Sequence, residues 1–221
     1  MISGALIRDD FGYILKVVPF TVGVALLILV MGVVLGFFIA VVRIRRIPVL
    51  RQMVRVFIDY TRGMPLIIHL YIAYYLLPPL MQRLLGVTPN ALVILVFAYS
   101  VYISVGQAEN IRGSFGSVDA GQWDAAYACG LSDAQALNRI IVPQMLTAAL
   151  PVMLNSYLGV IKGLSLAFTI GVTDILAQAR VASAQNYGYL EAYIAAALVY
   201  WALCGALSWL FGQLEQKLRK W

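Results

Sequence analysis

The chain has 221 residues, of which 62% are hydrophobic and 12% charged, and its mean hydropathy is +0.86. That balance excludes an ordinary water-soluble domain and assigns most of the chain to a bilayer. Sixteen basic residues against ten acidic leave a net charge of +6, which membrane topology and anionic lipid account for without a nucleic-acid partner.

At roughly 20 residues per crossing of a core about 30 Å thick, the length holds about five to six spans in one membrane domain, with no large soluble domain besides. Residues 1–16 carry both signs, and residues 17–42 carry no charge, so they read as span one. No small-residue cleavage site precedes the basic cluster Arg43, Arg45 and Arg46, which makes this span an uncleaved anchor. Residues 49–77 are apolar but interrupted by Arg51, Arg55, Asp59 and Arg62, with Pro48 before them and Pro78-Pro79 after them as expected helix limits. They read as span two. Thr88-Pro89-Asn90 supplies a turn ahead of span three at 90–112, span four covers 143–167 with Lys162 its one charge, and span five covers 191–214. The fold class expected is all-α, with five transmembrane helices and a polar insert at 113–139 between spans three and four.

Five spans put the termini on opposite sides. With the C-terminus in the cytoplasm, ten basic residues face inward: Arg43, Arg45, Arg46, Arg51, Arg55, Arg112, Arg139, Lys217, Arg219 and Lys220. Four face outward, Arg8, Lys16, Arg83 and Arg180. The bias of cytoplasmic segments toward Lys and Arg therefore predicts N-terminus out and C-terminus in. Cys129 falls in the insert and Cys204 in span five, so a disulfide between them is not expected. His69, the only histidine, has no second ligand at helical spacing and reads as a packed or pore-facing residue rather than a metal site.

The insert has its own local code. Asp119 with Gln122 and Ser132 with Gln135 have capping-box spacing, and Gly130 suits a left-handed helix end. These signals predict two short helices joined at a glycine elbow. Ala125, Ala126 and Ala128 leave a face that another surface can approach closely, and Tyr127 and Leu131 are placed to enter a pocket on it. A plain solvated loop is the alternative.

The string Asp124-Ala125-Ala126, then Gly130 after three residues, then Ile140-x-Val142-Pro143 after nine more, resembles the EAA signature of ABC importer permeases. Asp124 stands for the usual Glu and Val142 for the usual Leu. Arg62-Gly63-Met64-Pro65-Leu66, Ala108-Glu109-Asn110-Ile111-Arg112-Gly113, Gly121-Gln122-Trp123 and Lys162-Gly163-Leu164-Ser165-Leu166 resemble elements of that family's polar amino-acid branch. The resemblance covers the chain from about Pro19 to Leu214. It implies a multi-pass protein of the bacterial cell membrane, and a coupling helix formed by the insert that docks on a cytoplasmic ABC ATPase through Asp124, Ala125, Ala126, Tyr127, Gly130, Leu131 and Pro143. ATP and magnesium would sit on that ATPase and no cofactor on this chain. An extracytoplasmic binding protein would deliver an amino acid. Gly163 and Leu164 replace the family's common Asp and Thr, which argues against a cationic substrate, and the string from Ile161 to Val172 is similar to that of cystine permeases.

Physical reasoning singles out the same places. Arg62, Glu109 and Lys162 lie within spans, where an ionisable group needs a partner or water. An ion-pair ladder of Arg55, Asp59 and Arg62, and a Glu109–Arg112 pair, are the structural readings; a substrate path is the functional one. Asn155, Gly159, Lys162 and Ser165 fall on one face of span four. Gly63 and Pro65 weaken span two in its middle and free backbone groups for a zwitterion, or mark a packing kink. No phosphate-binding G-x-x-x-x-G-K-[ST] loop occurs, so energy must come from another subunit and the chain is not itself an enzyme. Five spans enclose too little for a two-gated path, so a second copy, or a related permease, is expected to complete it, a homodimer being preferred to a heterodimer. An ion-coupled carrier using Glu109 and Lys162, and a non-transporting scaffold, are the rival readings.

Overall fold

The computed structural model describes residues 2–45 and 47–218, and within them every regular element is helical. Arg46, Arg219 and Lys220, three of the ten charges assigned to the inside, lie outside the described residues. Four helices are long and apolar enough to cross a membrane: Val18–Arg45, Ala91–Gly116, the continuous Asp133–Ile170 and Tyr189–Lys217. A fifth crossing exists if the bent pair Pro48–Gly63 and Leu66–Leu85 forms one span.

Helix α1 (Gly4–Leu15) was not foreseen from its mixed charge. Ser3 caps it, accepting from the Leu6 N–H at 3.4 Å, and Ile7, Phe11 and Ile14 turn one apolar side against α9 (Ile175–Asn186) and α10 (Tyr189–Leu218). Helix α2 (Val18–Arg45) buries Thr21, Val24, Ala25, Ile28, Gly32, Gly36 and Ala40, a stripe at helical spacing, against α5 (Ala91–Gly116). Close approach needs the glycines: a Cβ on Gly36 would stand 2.8 Å from the Ser104 carbonyl oxygen and 2.9 Å from the Ala108 nitrogen. Ser100 donates across the same seam to the Ile28 carbonyl at 3.2 Å. Helix α5 is capped by Asn90, whose side chain accepts from the Val93 N–H at 2.9 Å, and it packs against α2, α3, α4 and α8, which makes it the central post.

Span two is not one straight helix. Helix α3 (Pro48–Gly63) and α4 (Leu66–Leu85) meet at 114°. Met64 is extended at φ −118°, ψ 131° because the ring of Pro65 disfavours a helical residue before it. The limit expected at Pro78-Pro79 is also corrected: α4 runs through both prolines and stops at Gly86, which is left-handed at φ +70°. Each proline costs one ladder bond locally, and the ladder resumes beyond them.

Helix α6 (Gly121–Ala128) is followed by one turn, α7 (Asp133–Ala136), a π-turn at Leu137–Ile141, and α8 (Val142–Gly163). The second helix of the insert and span four are therefore one rod. Pro143 lies inside it rather than at a break, and the wider π-turn just before it accommodates a residue that cannot donate to the Arg139 carbonyl. Past Gly163 the rod tightens into a 3₁₀ segment, Leu164–Ile170.

Candidate functional site

Two regions carry the residues expected to act. In the insert, Asp119 does not form a full capping box; its carboxylate accepts from the Gly121 N–H at 2.7 Å while its carbonyl accepts from the Gln122 N–H at 3.0 Å. The helix end is as expected: Gly130 has φ +76°, and the Leu131 N–H reaches back to the Ala126 carbonyl at 3.1 Å, closing a glycine-terminated turn. The Gln135 side chain accepts from the Ser132 N–H at 3.0 Å, the reach-back half of the second box. Trp123 packs between Phe115 and Tyr127, and the Gln144 side chain donates to Gln122 at 3.0 Å, which ties α6 to the start of α8.

Of the three alanines, Ala126 is fully buried against the chain itself, whereas Ala125 and Ala128 are exposed. Asp124, Tyr127, Gly130 and Pro143 are exposed as well, and Leu131 is half-buried. Tyr127, packed on one side by Trp123, still presents 47% of its surface, a large ring exposed on a short helix. Its phenol is held above the ordinary range, by desolvation first and then by the Asp133 and Asp124 carboxylates, so it stays a neutral donor.

The second region is built around Glu109. Its carboxylate accepts from three guanidinium groups: Arg43 in close contact, Arg112 at 2.9 Å and Arg62 at 3.1 Å. The Glu109–Arg112 pair was legible from i, i+3 spacing. Arg62 turns from α3 to α5 instead of pairing with Asp59, so the expected ladder along α3 does not form among the described residues. Gly63 and Pro65 flank the sharp bend directly after Arg62.

Above this knot lies a cavity of about 490 Å³ between the end of α3, α5 and α8. Arg62 and Glu109 form its floor, and Tyr102, Gln107, Asn110 and Ser156 supply hydrogen-bonding groups. The Asn110 side chain donates to Ser156 at 3.4 Å and to Gln107 at 3.4 Å, linking α5 to α8. Asn155, Gly159 and Lys162 do share one face of α8, and all three are exposed, Gly159 at the cavity edge. Ser165 follows in the 3₁₀ segment, where residues three apart eclipse, so it stands one turn beyond Lys162 and is half-buried.

Tyr99, Gln107, Asn110 and Ser156 were not among the residues singled out from sequence. The signal was present for Gln107 and Asn110, polar residues three apart in an otherwise apolar span. It was absent for Tyr99. A Cβ on Gly163 would collide with the Tyr99 hydroxyl, so the tyrosine fills the volume that a side chain at 163 would need. Nothing in either local sequence foretells that pairing.

Comparison with known proteins gives this arrangement a family. The model of the binding-protein-dependent transport system inner membrane component matches residues 32–220. The L-cystine transport system permease TcyL of Bacillus subtilis is 36% identical over 218 residues, covering 97% of this chain and 91% of that protein. The probable amino-acid ABC transporter permease PatM of Vibrio harveyi is 33% identical, covering 96% and 97%. A crystal structure of an amino-acid ABC transporter with histidines superposes at a TM-score of 0.85 with 27% identity, covering 98% of this chain and 99% of that one. An inward-facing structure of the MetNI methionine transporter shares the fold at a TM-score of 0.69 and 14% identity. The chain therefore belongs to the inner-membrane components of binding-protein-dependent transport systems, among the amino-acid ABC permeases.

Proposed function

We propose that this chain is one of two permease subunits of an ATP-driven importer for a non-cationic polar amino acid, cystine being favoured. The observation that carries the substrate class is Tyr99 seated over Gly163 at the edge of a polar cavity. An acidic side chain that would welcome a cationic substrate has no room at position 163. The cavity volume falls within the range of small-molecule sites, roughly 300–1,000 Å³. Arg62 offers its guanidinium to a substrate carboxylate, and the carbonyls freed at the Gly63–Pro65 bend, together with Asn155, suit an ammonium group. Lys162 and Asn155, exposed on the single chain, would face a second permease across the path, and a homodimer is the preferred pair. Substrate competition in a reconstituted complex of permease, ATPase and binding protein tests this reading. Cystine or another neutral amino acid should outcompete arginine and lysine by roughly tenfold or more, and faster uptake of arginine than of any neutral amino acid would overturn it.

The coupling role belongs to α6. Its exposed Asp124, Ala125 and Tyr127, the elbow at Gly130, and Leu131 and Pro143 beyond it form the surface for a cytoplasmic ABC ATPase that holds ATP and magnesium. Closure of the ATPase pair would move two such inserts and rock the spans between inward and outward access. An extracytoplasmic binding protein would load the opposite side. This places the N-terminus outside and the C-terminus in the cytoplasm, in agreement with the distribution of basic residues. Cys129 reports on it directly, being exposed in the elbow while Cys204 is half-buried within α10. In a Cys204→Ala variant, a membrane-impermeant maleimide should label Cys129 in inside-out vesicles and not in intact cells; labelling of intact cells would reverse the orientation.

A further inference from the structure

A second cavity, of about 440 Å³, adjoins the first at Arg62 and Glu109 and opens where the C-terminal end of α2, α3 and the last turns of α5 meet. Arg43, Arg51, Arg55, Arg62 and Arg112 all line it, opposed by the carboxylates of Asp59 and Glu109. Five positive charges against two negative leave a net charge of +3 on its walls. The negative charge of Glu109 is already shared among Arg43, Arg62 and Arg112. Arg51 and Arg55, one helical turn apart and both exposed, have no ion-pair partner among the described residues. Such walls suit an anion with several acceptor oxygens, the chemistry of a phosphate group.

The surroundings of the cavity identify the source of that phosphate. The far side of α3 exposes Val49 at 73%, Met53 at 63%, Val56 at 60% and Tyr60 at 39%, an apolar row at spacings of four, three and four. A short helix with arginines on one face and such a row on the other lies at the boundary between headgroups and acyl chains. That position holds the cavity at the level of lipid phosphates rather than in bulk water. An apolar track also leads out of it: Ile44 lines the cavity and is 51% exposed, and Phe37, seven residues back on the same face of α2, is 53% exposed.

We propose that this cavity is a binding site for an anionic phospholipid, with Arg51 and Arg55 gripping the headgroup phosphate and an acyl chain lying over Ile44 and Phe37. The site shares Arg62 and Glu109 with the substrate cavity, whereas Arg51 and Arg55 line this one alone, and its role goes beyond transport itself. It would hold α3, and through Arg62 the bend at Gly63–Pro65, in place against the membrane surface.

The test uses the full-length purified chain in detergent, supplemented with phosphatidylglycerol, phosphatidylcholine or inorganic phosphate, and read by thermal melting and by lipid retained in native mass spectrometry. Phosphatidylglycerol should be retained and should raise the melting temperature, while phosphatidylcholine and inorganic phosphate at equal concentration should not. Arg51→Gln/Arg55→Gln should weaken phosphatidylglycerol binding by roughly thirtyfold, from the usual contribution per basic residue at an anionic surface. Arg51→Lys/Arg55→Lys should keep the lipid preference, which controls for folding. Equal retention of the two lipids, equal stabilisation by inorganic phosphate, or undiminished phosphatidylglycerol binding by the Gln variant would each overturn the proposal. So would a Gln variant that lost only a co-purifying ATPase, since that result would make the cavity a protein-docking surface.

Discussion

Gly130→Val is expected to cut ATP-driven uptake by roughly tenfold or more while leaving the chain in the membrane, because a branched side chain in the left-handed region costs about 1–2 kcal/mol. The position has φ +76°, and a Cβ there would meet nothing within 4 Å, so the penalty is conformational and not steric crowding. The chain can relieve it only by unwinding the turn that joins the Leu131 N–H to the Ala126 carbonyl. That turn fixes the angle between α6 and the rod that begins at Asp133, and it aims Tyr127. The buried seam between α2 and α5 lies elsewhere, so insertion and folding should survive. Gly130→Asn should retain most transport, since asparagine tolerates this conformation better than other residues. Uptake and membrane abundance measured side by side decide the matter, and wild-type uptake by the valine variant would remove the coupling role from this elbow.

Glu109→Gln is expected to destabilise the chain by about 3 kcal/mol, the lower end of what losing one partner of a buried ion pair costs, because this site is partly open to water. Three guanidinium groups converge on one carboxylate whose side chain is 23% exposed. Without it, Arg43, Arg62 and Arg112 face one another across the junction of α2, α3 and α5 with their shared counter-charge gone. The melting temperature should fall by about 6–12 °C for a chain of this size. Adding Arg43→Gln should restore part of the loss, because the double variant removes a charge that the single variant leaves unpaired. A Glu109→Gln melting temperature equal to wild type would show that the cluster is held by packing rather than by charge.

How much was legible depended on the range of the interaction. The glycine elbow was readable because Gly130 and its neighbours settle it within a single turn, and the Glu109–Arg112 pair because the helix itself brings residues three apart together. The bend after Gly63 was readable as a weak point, but its angle was not: it follows from how α4 packs on α5. The Asp59–Arg62 rung of the expected ladder, equally reasonable by spacing, failed because Glu109 on another helix took Arg62. The change of helical pitch after Gly163 was not readable, because it carries no strong local signal.

The sequence by itself determined the solvent, the approximate crossings, the EAA-like insert and hence the class of machine, since each rests on composition or on residues close along the chain. Only the tertiary structure decided that Glu109 binds three arginines from two other segments and its own helix, and that Tyr99 occupies the space above Gly163. It alone gathered Arg51 and Arg55 with Arg43 and Arg112 around one cavity. Those groups lie tens of residues apart, and helix packing, not local propensity, sets the distances between them.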